Sequence, residues 1–339
     1  MTGRRSSGSA RPEQASRRRV DTSSSRPVVE LAGGVGGAKL AHGLQALLGA
    51  DLTVIVNTAD DLERHGLVIW PDHDTVMYTL AGLDDRERGW GLAGETWNVI
   101  EQLAVYGEET WFRLGDRDIA THIVRTARLR RGERPTDVAR HLQRSLGVAA
   151  TILPMTDEEV RTELRTDEPD TDGGWIAFQE YFVHRHQAPT VHEVRFCGAS
   201  AAVPTSEVRE AIAAAGAIVI APSNPIVSIG PILAVPGIRE AVEAARARGV
   251  PVVAVSGIVA GRALKGPADR MLVSLGHESS ALGVARLYAG LADVFVLDTV
   301  DADLAPAIEA LGMRVAITNT IMSDDASRAR LARDVLDLT

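Results

Sequence analysis

Lysine is almost absent from this chain. Of the 36 basic residues among its 339, only Lys39 and Lys265 are lysine, and the rest are arginine. Cysteine is rarer still. Cys197 stands alone, which excludes an internal disulfide and points to a reducing compartment, the cytoplasm. Aromatic residues make up 4% of the chain while alanine, glycine and valine are abundant, a balance that suits the close packing of an α/β protein. No apolar run approaches the roughly 20 residues that a membrane-spanning helix needs. The N-terminus also lacks the apolar stretch of a signal peptide. These absences lead us to expect a soluble, cytoplasmic protein with no membrane partner.

Charge is present but unevenly spread. Residues 1–26 hold seven arginines and seven serines against two acids, a net of +5 within a total of −9, so the remainder carries −14. So polar a segment cannot bury enough surface to order itself, and we read 1–26 as a disordered basic tail and 27–339 as the folded core. An acidic core is a poor partner for nucleic acid. If it handles phosphates, local devices must serve: metal ions, backbone amides and a few placed cations.

The apolar pattern predicts a strand at 28–31, a glycine-rich run at 33–39, and a helix that sets Leu40, Leu44, Leu47 and Leu48 on one face. Gly49-Ala50 breaks that helix, and Leu52–Val56 is continuously apolar, as in a buried parallel sheet. The same rhythm returns with strands at 217–221, Val252–Val255, 294–297 and Arg314–Thr318, and with helices near 237–248 and from about Asp325. Residues 95–150 read as helical. Residues 151–200 mix a Pro-Met turn, an acidic loop at 167–172 and strands around 175–183 and 191–196. The expected fold is α/β: a doubly wound, mostly parallel Rossmann-like sheet, with an inserted helical and β section at 95–200 covering the ligand.

Four motifs carry chemistry. In the first, Gly34, Gly36 and Gly37 free backbone amides at a helix N-terminus, where phosphates are cradled. Neither standard fingerprint fits, because Ala38-Lys39-Leu40 replaces Gly-Lys-Ser/Thr and Lys39 stands where a dinucleotide loop wants glycine or alanine. A tight strand–helix turn without a ligand is the alternative. Lysine kept at 39 in so arginine-biased a chain points to a compact charge.

The second motif joins Asn57-Thr58-Ala59-Asp60-Asp61, at the end of a strand, with Pro71-Asp72-His73-Asp74-Thr75. Clustered carboxylates shared with substrate phosphates are the usual way magnesium is held. Asp74 is also placed to cap a helix containing Val76, Met77 and Leu80, but capping accounts for one aspartate rather than four. His65 and His73 lack zinc-ligand spacing.

The third motif runs from Arg113 through Gly115-Asp116-Arg117-Asp118 to Thr121, His122 and Arg125, with Asp118/His122 and Thr121/Arg125 paired at i, i+4. It reads equally as a solvated helix start and as a turn that presents side chains to a ligand. The fourth motif, at 222–231, is stiff with proline and offers Ser223, Asn224 and Ser228 to a base or phosphate.

In this order the motifs resemble the 2-phospho-L-lactate transferase family of coenzyme F-420 biosynthesis, including its phosphoenolpyruvate-transferring bacterial members, from Val29 to the C-terminus. The resemblance implies a magnesium-dependent, homodimeric enzyme. A guanosine diphosphate-linked three-carbon acid gives its acid-bearing phosphate to the ribityl hydroxyl of the deazaflavin Fo, and GMP leaves. It implies Fo contacts at Asp74 and Arg113, to which we add Asn57, while the motifs themselves put donor contacts at Gly34, Gly36, Gly37, Lys39, Ser223, Asn224 and Ser228. Metal falls to Asp60, Asp61 and Asp72, and proton transfer to one of Asp60, Asp61 and Asp74. Asp116, Asp118, His122 and Arg125 are further site candidates. Arg113 departs from the lysine of archaeal members, keeping the charge and changing its geometry. The three-carbon acid stays open among phosphoenolpyruvate, 2-phospholactate and 3-phosphoglycerate. Two rival readings are a non-enzymatic nucleotide-sugar-binding regulator of similar fold and a Rossmann dehydrogenase, the latter weakened by the broken fingerprint.

Overall fold

The structure is a computed structural model and describes Gly3, residues 26–167 and residues 172–339. The expected tail at 1–26, apart from Gly3 and Arg26, and residues 168–171 of the expected acidic loop lie outside the described residues.

Numbering only the strands of the main sheet, β1 is Val28–Ala32, β2 Leu52–Val56, β3 Thr151–Pro154, β4 Ala217–Ile220, β5 Val252–Val255, β6 Val294–Asp298 and β7 Arg314–Thr318. They lie in the order 3-2-1-4-5-6-7, and every neighbouring pair is parallel. β4, β5 and β6 are buried along their whole length, which is why they read as unbroken apolar runs. The chain winds outward from β1 to β3, then returns to β4 and winds the other way. Its direction reverses between β1 and β4, where sheets of this kind open a crevice at the C-terminal strand ends. Apolar cores cover both faces of the sheet.

Helix α1 (Gly34–Leu48) starts at once after β1, so the expected glycine loop is in fact the first turns of the helix. Leu40 and Leu44 are buried as expected, but Leu47 points outward, because the buried stripe runs through Ala41 and Gly43 instead. α1 packs against α2 (Pro71–Leu80) and the C-terminal helix Asp325–Leu336. β3, read from the sequence as part of the covering section, pairs with β2 at the sheet edge. It is short and closes on proline, a residue an edge tolerates.

The rest of 95–200 holds α3 (Asn98–Val105), α4 (Asp116–Leu129) and α5 (Pro135–Ser145). A three-stranded antiparallel sheet follows, formed by Arg161–Thr166, Trp175–Ala177 and Val191–Cys197. The strand expected to reach 183 stops at Ala177. A wide helical turn, Glu180–His184, takes over, with Phe178 and Phe182 stacked at 5.5 Å across it. After β5 comes a small hairpin, Ile258–Val259 with Arg262–Ala263. Among the described residues no helix is long and apolar enough to cross a membrane.

Candidate active site

Loops leaving the C-terminal ends of β1, β2, β4, β5 and β7 surround one cavity of about 880 Å³. Its base is the seam between α1 and the 222–228 loop. The Ser223 hydroxyl donates to the Gly33 carbonyl at 2.8 Å and accepts the Gly33 N–H at 3.1 Å. Gly34 takes φ +62°, and a Cβ on Gly36 would stand 2.3 Å from the Pro222 carbonyl oxygen. Gly37 packs against Ser223 behind the cavity wall. Asn224 folds its own loop, its side-chain oxygen accepting the Ile226 N–H at 2.9 Å and the Val227 N–H at 3.3 Å. Ser223, Asn224 and Ser228 all line the cavity.

Next to this seam stands a carboxylate pair. The Asn57 side-chain amide donates to Asp60 Oδ2 and Asp72 Oδ2 at 3.0 Å each, and to the Val227 carbonyl at 3.2 Å. Asn57 is thus committed to the pair and is not on the cavity wall. Burial pushes the Asp72 carboxyl up to about 6, against the pull of its bonds from Asn57 and the Gly34 N–H. Burial and then the neighbouring Asp72 push Asp60 well above the carboxylate range. Asp60 Oδ1 is buried without a hydrogen-bond partner among the described residues. Two buried carboxylates with an oxygen to spare are costly as anions unless a cation joins them. Hard, under-satisfied oxygen donors of this kind fit magnesium. Asp61, the third expected metal ligand, is not on the wall. Burial raises it, and Arg161 and Arg125 pull it back.

Asp74 belongs to a different network. It lies inside α2, which starts at Pro71, so it does not cap that helix. Its Oδ1 is ion-paired with the fully buried Arg125, whose guanidinium also covers the Trp70 ring at 4.4 Å. Burial raises the Asp74 carboxyl, but Arg125 and then the bond from His73 outweigh it and hold it at about 2. Arg125 also donates to His122 Nδ1 at 2.9 Å. A guanidinium only donates, so His122 must carry its proton on Nε2, 3.3 Å from Asp118 Oδ1. The Tyr78 hydroxyl bonds that same Asp118 oxygen at 2.7 Å. Asp74, Asp118 and His122 come close enough to share a cation, but Arg125 already supplies the positive charge there.

The expected Asp116/Asp118 cluster divides. Asp118 lines the cavity, whereas Asp116 accepts from Thr96 Oγ1 and Asn98 Nδ2 at 2.7 Å and from the Val99 N–H at 3.0 Å, holding the start of α3. Those bonds pull Asp116 to about 2. Arg113 is on the wall, its guanidinium 4.4 Å from the Trp97 ring, and Arg88 lies 4.9 Å from the same ring.

Lys39 reaches the wall too and donates to the Met322 carbonyl at 2.9 Å. Burial, then Arg328 and Lys265, lower its pKa. Several lining residues escaped the sequence reading: Trp90, Trp111, Phe178, Phe182 and Lys265. Trp90 and Trp111 come from separate loops and share no spacing, whereas Phe178 and Phe182 stand four residues apart and stack across one helical turn. Lys265 did carry a signal, its rarity: both lysines of the chain face this cavity.

The profile of the family described as 2-phospho-L-lactate transferase CofD matches residues 28–325. A protein of Streptomyces griseus named phosphoenolpyruvate transferase is 46% identical over 314 residues, covering 92% of this chain and 98% of its own. One of the same name from Mycolicibacterium smegmatis is 41% identical over 324 residues, covering 92% and 98%. A crystal structure of a Bacillus halodurans protein superposes with a TM-score of 0.59 at 18% identity over 92% of this chain and all of that one, a likeness of fold alone. A match across nearly the whole cavity-bearing chain, with relatives above 40% identity, places this protein in the 2-phospho-L-lactate transferase family, as a transferase of the coenzyme F-420 biosynthesis type.

Proposed function

We propose that the chain transfers a phosphorylated three-carbon acid from a guanosine diphosphate-linked donor to the ribityl hydroxyl of Fo, releasing GMP. The observation that carries this reading is the Asn57 clamp. It gathers Asp60 and Asp72 against the N-terminus of α1, in the same cavity as Lys39 and Asp74. The names of the relatives favour phosphoenolpyruvate as the acid.

In the reaction the acceptor hydroxyl oxygen attacks the phosphorus bearing the acid. The bond from that phosphorus to the guanylyl phosphate breaks, GMP keeps the electron pair, and the hydroxyl proton passes to a cavity carboxylate. Magnesium held by Asp60 and Asp72 would offset the charge on the leaving phosphate. Lys39 and the free amides of α1 hold the donor's phosphates. Asp74 has Oδ1 committed to Arg125, while Oδ2, 3.7 Å from His122 Nδ1, makes no hydrogen bond among the described residues, which suits it to orient the hydroxyl. Arg113 stands on the wall as a cation for the acceptor side.

The test is direct. Purified protein is incubated with magnesium, Fo and each guanylylated acid in turn, and the products are weighed by mass spectrometry. A product of Fo plus one phosphorylated acid, with GMP in equal amount, is expected. No product from any donor, together with retention of a nucleotide sugar, would favour the regulator reading instead.

A further inference from the structure

Lys265 follows the hairpin Ile258–Val259 with Arg262–Ala263 and lines the cavity from a loop remote in sequence from every motif described above. It makes no hydrogen bond or ion pair among the described residues. Its ammonium lies over Gly89, where a Cβ would come within 1.8 Å of Nζ, and Gly89 itself has φ +78°. A side chain there would meet the ammonium, so the loop after α2 leaves it room. Lys39 feels Lys265 and the buried Arg328 strongly enough for both to lower its pKa after burial has done so. Two ammonium groups thus share the cavity wall of an acidic molecule; Arg328 behind them has Asp84 and Asp325 within ion-pair distance, whereas Lys265 has no anion paired with it among the described residues. Such a grouping is unfavourable empty and favourable around a multiply charged anion. Elsewhere the chain uses arginine. At these two positions alone it places a compact ammonium, which binds phosphate as a point charge.

We propose that Lys265 is a second phosphate-holding residue of the donor site, acting with Lys39 on the diphosphate of the guanylylated substrate. This rests on the function proposed above and adds a residue to it. Fo is no alternative ligand for the group, because its ribityl chain carries no charge.

Calorimetry on the full chain with magnesium separates the outcomes, using guanosine diphosphate as the probe and guanosine as its phosphate-free control. Lys265→Ala is expected to weaken diphosphate binding about tenfold or more, the scale of one charge-assisted contact, and to leave guanosine binding unchanged. Lys265→Arg, which keeps the charge, is expected to recover part of the loss. The donor KM should rise with the diphosphate Kd while the Fo KM stays put. Diphosphate binding by Lys265→Ala within twofold of the parent would overturn the proposal. So would an equal loss for diphosphate and guanosine. A parent chain that binds no guanosine diphosphate would sink the donor reading itself, a result distinct from equal binding by parent and variant.

Discussion

The pair of Asp74 and Arg125 shows how one residue can be structural and functional at once. Arg125 is wholly buried and its charge is met by Asp74. Asp74→Asn therefore strands a guanidinium in the interior, and the expected cost is about 3–5 kcal/mol of stability, the usual result of breaking a buried ion pair. The same change removes the oxygen we assign to the acceptor hydroxyl, with an expected loss of about 100-fold or more in turnover. The two effects separate in the double variant Asp74→Asn with Arg125→Met. Removing both charges should restore much of the stability, read by chemical denaturation, and none of the turnover. Recovery of both together would mean that Asp74 serves only the fold. None of this was visible in the sequence, where Asp74 and Arg125 stand 51 residues apart. The sequence shows which side chains carry charge, but not which buried charges meet.

At the level of elements, the apolar strands were legible because burial on both faces removes any alternation, and β1, β2, β5 and β7 lie where the pattern put them. β3 was not, because four residues ending in proline carry no period. The carboxylates of the site were legible for a related reason: they crowd the first residues after a strand and the first turn of a helix. The glycines were legible as a group but not in their purpose. They look like a phosphate loop, yet Gly36 is small because the Pro222 carbonyl occupies the place of its side chain. Gly36→Ala should push the 222–228 loop off α1 and cost about 1–3 kcal/mol, a fall of several degrees in Tm. A variant melting with the parent would mean that the loop moves aside freely.

For the molecule as a whole, two predictions concern buried charge. Glu30 sits in the central strand with both carboxyl oxygens unpartnered among the described residues, and burial pushes it well above the carboxylate range. A raised folded-state value means that the native protein holds this proton more tightly than the unfolded chain. Stability is then complete below the unfolded value of about 4.3 and declines as pH rises through the interval up to the folded value. Glu30→Met should flatten that decline and be more stable than the parent at about pH 8, by roughly 1–3 kcal/mol. Denaturation curves at three pH values would show it, and parallel pH profiles would refute it. The second prediction concerns the Asp60/Asp72 pair. Exhaustive chelation should abolish turnover and added magnesium should restore it, so turnover indifferent to chelation would remove the metal from the reading.

The cavity wall has one more consequence. Trp90 and Trp111 line it, and Trp97 lies beneath Arg88 and Arg113 at its edge, so three of the five tryptophans surround the space a substrate must enter. The deazaflavin that we propose as acceptor is a chromophore able to take up excitation from indole rings at close range. Light absorbed by the protein would then be passed to the acceptor whenever it is seated, and the fading of tryptophan emission would count occupied molecules without any label.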